Sequence, residues 1–307
     1  MIPQKVLVFN KQLRIKHLDI SSTSKDSHVY DYLRSFTAKD VCDRVDDLIF
    51  KSKRVVFNLG ACSGLIAKNI NPDKVDTFIQ GDISLGNLKK CIRTNTMMEP
   101  GKNFPVHYVH CDEEYIPLKQ KSVNMAISCM NLHWVNDLVS CFRQVNSVLE
   151  DDSPFIGALL GGDTLYELRS SLQLAEVERS ANPMSNHCAP KTTGQDIAGL
   201  LQRNGFQLIT VDISEIRIRY PSIFELMLDL QGMGENNASI QASQHIHRDV
   251  LKSAAAIYQY FYGNNQDNPE REKEEGIPAT FQVIHFIGWK NPARKVADET
   301  SVGPGVK

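Results

Sequence analysis

The sequence has no Cys-x-x-Cys pair, no Gly-x-Gly-x-x-Gly turn, no Gly-Lys-Ser/Thr triplet and no surplus of either charge. It also has no apolar run near the roughly 18 residues that a membrane span requires, so no transmembrane segment is expected. Each absence removes a class of function. The seven cysteines stand at positions 42, 62, 91, 111, 129, 141 and 188, too scattered for a structural zinc site, which needs closely spaced ligand pairs. Several fall inside apparent strands or helices, so they read as buried free thiols of a reducing compartment. A net charge of -2 lacks the basic excess that phosphate backbones demand, and no nucleic-acid partner is expected. The missing Gly-x-Gly-x-x-Gly argues against a hydride-transferring dinucleotide enzyme, and the missing Gly-Lys-Ser/Thr against a P-loop.

What is present is organised around RVVFNLGACSGLIAKNI, residues 54–70. Three β-favouring residues run into a turn of small residues, and a helix-compatible stretch follows. This is the arrangement by which α/β proteins present backbone N–H groups to a nucleotide-like ligand. Further strands are predicted over residues 75–81, 106–110, 123–129 and 155–160, with helices between them, one running from Asn87 to about Met98 and one starting at Asp137. Such alternation predicts a mostly parallel sheet with helices on both sides. Beyond it, Thr164-x-x-Glu167 reads as a capping box and residues 195–203 as a helix. Residues 206–220 form a long strand, residues 221–263 are helical with a break near 232–237, and residues 279–289 make a last strand hairpinned with 206–220.

The expected organisation is an N-terminal arm and lead-in helix (1–53), a core (54–220), a helical insertion (221–277), the last core strand (278–290) and a disordered tail (291–307). The first 18 residues carry Lys5, Lys11, Arg14, Lys16 and His17 without an acid. Having one arginine, no serine and an early proline, they read as an exposed arm rather than a presequence. The loop over 180–190 and the polar tract over 263–276 read as solvated connections.

Four features fall at the carboxyl ends of the first four strands: the Gly60 to Gly64 turn, Asp82, Asp112-Glu113 and the Asn131-Leu132-His133-Trp134 run. Asp82 lies about 20 residues past the turn, where a carboxylate accepts from both ribose hydroxyls. Asp112 suits the exocyclic amine of an adenine. Together they describe an adenosine-shaped site. Asn58, Gly60, Gly64, Asp82, Asp112, Glu113 and Asn131 are the expected cofactor-binding residues.

A short glycine turn in a seven-stranded sheet with its last two strands antiparallel resembles the class I S-adenosylmethionine-dependent methyltransferase fold, here with a helical cap. The segments VYDYL, PLKQKSVNMAISCMNLHWVNDL, FIGALLGGDTLYELRSSLQLAE, YPSIFELMLDLQGMGENN and IPATFQVIHFIGWK narrow the resemblance further, to the mitochondrial complex I assembly factor 5 family. That family is related to the bacterial malonyl-carrier-protein methyltransferase, and the likeness runs from about Val8 to Trp289. The resemblance implies S-adenosylmethionine as cofactor and a matrix-side mitochondrial location, peripheral on the inner membrane. It also implies a role in assembling NADH:ubiquinone oxidoreductase (complex I), with hydroxylation of an arginine on an iron–sulfur subunit of the peripheral arm and other assembly factors as partners. Methyl transfer to a protein or small acid, and a non-catalytic assembly scaffold, are the competing readings.

Where the family carries an acid, a glycine and an aspartate, this chain has Asn58, Cys62 and Asn124, departures that make weakened cofactor binding the alternative to ordinary S-adenosylmethionine binding. His133, Asp163 and Glu167 are the catalytic candidates, and Asp163, Glu167 and Asp229 could form a carboxylate fork for an arginine. Trp134 reads equally as cavity wall or core. His245-x-His247 with Asp249 is rejected as an iron site, because helical residues two apart point away from each other, and no metal is expected.

Overall fold

The computed structural model describes residues 7–49, 54–96, 104–179, 192–240, 246–263 and 276–292. Helices α1 (Lys11–Thr23) and α2 (Tyr32–Asp46) precede strand β1 (Val55–Leu59). There follow α3 (Leu65–Asn69), β2 (Thr77–Asp82), α4 (Leu85–Thr96), β3 (Val106–His110), β4 (Met125–Cys129), α5 (Leu138–Val148) and β5 (Pro154–Leu160). The chain then forms α6 (Tyr166–Arg179), α7 (Gly194–Arg203), β6 (Phe206–Tyr220), α8 (Ile223–Met233), α9 (Arg248–Tyr262) and β7 (Ile277–Lys290).

The seven strands make one sheet in the order β3-β2-β1-β4-β5-β7-β6. Strands β1 to β5 pair in parallel, and β7 runs antiparallel to both β5 and β6. The sequence-based expectation of a seven-stranded sheet closed by an antiparallel pair is therefore met. The strand order reverses between β1 and β4, and at such a switch point a crevice opens beyond the strand ends. The glycine turn after β1 lies at that crevice.

Side chains alternate across the strands as the pleat requires. Val56, Met125, Ile127, Ile156 and Ala158 pack toward Leu33 and Val41 of α2 and Leu168 and Leu172 of α6. Phe57, Leu59, Ala126, Phe155 and Leu159 pack on the other face, with Phe142 of α5 and Ile197 and Leu201 of α7. The helices between β6 and β7 join the first of these layers: α9 packs on α6, and α8 packs on α1. Left-handed Gly234 ends α8 at the predicted break.

Two expectations are corrected. The predicted exposed arm is instead the packed helix α1, whose inward residues are Arg14, Leu18, Ser21 and Ser22. Only one of these is apolar, which is why no hydrophobic period marks the helix in the sequence. The predicted capping box at Thr164 does not form either. Thr164 Oγ1 donates to the Gln282 carbonyl, and the Glu167 carboxylate accepts from Thr280 N and Oγ1, so both side chains tie α6 to β7. The predicted helix end at Met98, the loop over 180–190 apart from its surroundings, Cys188, His245, and most of the polar tract and the tail lie outside the described residues.

Candidate functional site

The turn after β1 is set by two left-handed glycines, Gly60 (φ 75°) and Gly64 (φ 73°). A side chain at Gly60 would strike Asn131, whose amide nitrogen lies 2.2 Å from the ideal Cβ position. The Gly60 and Ala61 amides both donate to the Gly81 carbonyl at 2.9 Å, which pins the turn to the end of β2. Cys62 also has a positive φ of 50°, a conformation that costs a residue with a Cβ more than a glycine. Its amide donates to Asp82 Oδ2 at 2.8 Å, and its sulfur faces the Cys129 carbonyl at 3.9 Å. Burial, opposed in part by Arg34, pushes the Cys62 thiol up to about 12, so it stays protonated at neutral pH and is a poor nucleophile.

Beside this turn lies a small cavity lined by Arg34, Asn58, Gly60, Cys62, Ser63 and Cys129. Asn58 is buried, and neither its amide nitrogen nor its oxygen has a hydrogen-bond partner. Period-two alternation puts Asn58 on the face of Val56, where an apolar residue would otherwise pack. An unsatisfied amide in such a place is costly, and a polar ligand group would relieve it.

The nucleoside side of the site is more fully engaged. Asp82 accepts from Cys62 N, from Ser84 N at 2.8 Å and from the Asn87 amide at 3.2 Å to each oxygen. Burial, only partly offset by these donors, raises its carboxyl pKa. Asp112 is held by the Lys11 ammonium of α1 at 2.6 Å, and Lys11 also lies 3.3 Å from Glu114. Glu113 is buried and accepts from the Asn131 amide at 2.8 Å. Burial first, and then the Asp82 charge, push Glu113 up to about 7. Of the predicted residues, Asn58 and Gly60 line the cavity beside the turn, Asp112, Glu113 and Asn131 line a second pocket, Asp82 is tied to the turn through Cys62 N, and Gly64 shapes the turn without lining either pocket. Lys11, Arg14 and Trp134 line that second pocket together with Asp112, Glu113 and Asn131.

A second, buried network adjoins the crevice and was not anticipated from the sequence. Glu235, just past α8, accepts from Arg14 at 3.2 Å and Arg34 at 3.1 Å through one oxygen. Its other oxygen meets His133 Nε2 at 3.1 Å and accepts from Trp134 Nε1 at 2.8 Å. Burial pushes the Glu235 carboxyl upward, but Arg14, His133 and Arg34 together outweigh it and hold the group well below the usual carboxylate range. Asp31 extends the network: it lies 2.7 Å from the Lys90 ammonium and accepts from Ser63 Oγ of the turn at 2.7 Å. The sequence signal for Glu235 was the DLQGMGE run, which carried the family resemblance but no chemical assignment.

The candidate His133 therefore serves Glu235, and its Nδ1 faces the Leu160 amide at 3.5 Å. Asp163 and Glu167 are bonded to β7 rather than gathered at the turn: Asp163 accepts from the Gln282 amide at 3.1 Å, and Glu167 is buried on Thr280. Asp229 accepts from the hydroxyls of Tyr32 and Tyr220. The three carboxylates do not form one fork. His247 caps the start of α9 and is paired with Asp249 in an exposed position.

Comparison with known proteins follows the same lines. Residues 57–156 match the model of a methyltransferase domain. The human mitochondrial arginine-hydroxylase NDUFAF5 is 38% identical over 288 residues, which span 94% of this chain and 78% of the human protein. Among solved structures, the YcgJ protein of Bacillus subtilis superposes with a TM-score of 0.55 at 13% identity, covering 83% of this chain and 99% of YcgJ. A Haemonchus contortus phosphoethanolamine N-methyltransferase in complex with S-adenosylhomocysteine gives a TM-score of 0.54 at 11% identity, over 91% of this chain and 60% of that enzyme. At these identities the structural likenesses establish the fold alone: an α/β class I methyltransferase fold.

Proposed function

This chain belongs to the mitochondrial arginine-hydroxylase NDUFAF5 family, and on that premise we propose that it hydroxylates an arginine of an iron–sulfur subunit during assembly of complex I. The observation that carries the proposal is the crevice beyond β1 and β4. There, acids and amides suited to a nucleoside adjoin a buried network that already binds guanidinium groups, in a chain whose relatives bear that name. The reaction would replace a carbon-bound hydrogen of the arginine side chain with a hydroxyl, a two-electron oxidation. It draws its oxygen atom from dioxygen and needs a two-electron reductant as co-substrate, with water as the second product; the sulfonium of S-adenosylmethionine supplies neither the oxygen nor the electrons. The proposed setting is the matrix side of the inner membrane, alongside other assembly factors. Among the described residues, no helix is long and apolar enough to cross a membrane.

S-adenosylmethionine is the proposed cofactor, and the residues present fit it. Asn58 offers an unpartnered amide to the polar amino-acid end, in the cavity it shares with Arg34. Asp82 offers its carboxylate to the ribose hydroxyls by exchanging the Asn87 amide, and Asp112 faces the adenine side once Lys11 yields. When bound, the cofactor supplies a sulfonium centre and a transferable methyl group. The chain's own contribution is to orient and enclose. Asn58 is neutral where the family carries an acid, and Cys62 places a side chain in the turn, so both lower the affinity relative to an acidic, all-glycine turn.

Peptide mass spectrometry of the arginine-bearing iron–sulfur subunit, produced with and without this protein, tests the reading. A gain of one oxygen atom on arginine is the expected result. A CH₂ gain would replace hydroxylation by methyl transfer, and unchanged mass with normal assembly would leave a scaffold.

A further inference from the structure

Arg14 of α1 is held as a bound arginine ligand would be. Its guanidinium carbon stands 4.5 Å from the centre of the Trp134 ring, a cation–π stack. One terminal nitrogen donates to the Gly234 carbonyl and the other to Glu235 at 3.2 Å. The walls of this cage do not depend on Arg14 for their placement. Trp134 Nε1 and His133 Nε2 fix the far oxygen of Glu235, and Phe9 packs edge-on against Trp134 at 5.1 Å. The cage borders the pocket that Arg14 and Trp134 line with Asn131 and Asp112.

The fit of Arg14 is nevertheless incomplete. Its Nε is buried with no hydrogen-bond partner, so a tether through α1 prevents the full fork from being used. The helix that carries it is lightly anchored by apolar burial, since Leu18 is its one fully buried apolar residue and Leu13 is only partly buried, against Phe9 and Trp134. Its other ties are polar: Lys11 to Asp112, and Asp19 to Ser84 Oγ at 2.6 Å and to Gly86 N at 3.1 Å. Polar contacts of this kind exchange for water at small net cost. Withdrawing Arg14 also leaves Glu235 compensated, because Arg34 and His133 remain on it.

We propose that the Trp134–Glu235–Gly234 cage is the binding site for the substrate arginine, and that Arg14 occupies it as an internal surrogate which α1 withdraws when substrate enters. The assignment rests on the arginine-directed reading above and names its substrate pocket. N-acetyl-L-arginine methylamide is the probe, with the lysine analogue as control for a cation that lacks the planar fork. Calorimetric titration of Arg14→Ala, with its fold checked by circular dichroism, is expected to show arginine-amide binding about tenfold or more tighter than in the unaltered chain, and no such gain for the lysine amide. A folded variant that binds the arginine amide no better than the unaltered chain, or binds both amides alike, overturns the assignment.

Hydrogen exchange on the unaltered chain gives the same decision if the variant does not fold. The arginine amide, and not the lysine amide, is expected to speed exchange of the α1 amides, and equal rates with both overturn it. Failure of the cage with the client still hydroxylated removes this inference alone. An unhydroxylated client beside selective arginine binding removes the reaction and leaves the pocket.

Discussion

Glu113 shows how one buried carboxyl sets a pH response. Burial and the Asp82 charge raise it from 4.5 to about 7, with the Asn131 amide pulling the other way. A raised carboxyl pKa means that the folded chain holds a proton which the unfolded chain releases. The associated stability is therefore fully present below the unfolded value and is lost as pH rises through the folded one. Stability is expected to fall by no more than about 3 kcal/mol across that window, and Glu113→Gln to flatten the fall. Urea unfolding on either side of the window measures it, and a Glu113→Gln slope equal to that of the unaltered chain would show another group at work. Asn58 is the contrasting residue. Its position in the site was legible from the strand-turn pattern, but that both of its polar atoms are orphaned depends on α2, which no local pattern reveals.

Among the elements, the strands were the most readable, because β1, β4 and β5 are short, mostly apolar runs bounded by turn residues, as strands covered on both faces must be. Gly157 of β5 sits between its paired strands β4 and β7 with no room for a side chain. A Cβ there would lie 2.5 Å from the Ser128 carbonyl and 2.7 Å from the Phe286 ring. Gly157→Ala is expected to destabilise the chain by about 1–3 kcal/mol, since backbone cannot yield as a flexible side chain would. Denaturant titration checks this, and an unchanged midpoint would mean that β4 and β5 can part at that point. Helix α1 was the least readable element. Arg14, Lys11 and Asp19 hold it to the crevice through partners distant in sequence, so its packing leaves no apolar stripe to read.

At the scale of the molecule, ligand binding and folding are linked through the crevice. S-adenosylhomocysteine, which shares the nucleoside and amino-acid ends of the proposed cofactor, is expected to raise the melting temperature. At about one hundred times its Kd the stabilisation approaches about 2.7 kcal/mol. Asp82→Ala, compared with its own ligand-free baseline, should lose that increment, because the ribose carboxylate is gone while the sheet remains. A thermal shift that survives the substitution would place the nucleoside elsewhere.

The sequence by itself determined the order of the strands and of the helices after α1, the glycine turn, the acids and amides at the strand ends and the family. These follow from local periodicity, backbone conformation and residues close together in the chain. Only the tertiary structure decided which of those groups are free. It set Lys11 on Asp112, gathered Arg14, Arg34, His133 and Trp134 on Glu235, and left Asn58 without a partner. Glu235 lies more than 100 residues from Trp134 and more than 200 from Arg14. Contacts at that separation are created by the packing of α1, α2 and α8 around the strand ends, and no local pattern encodes them.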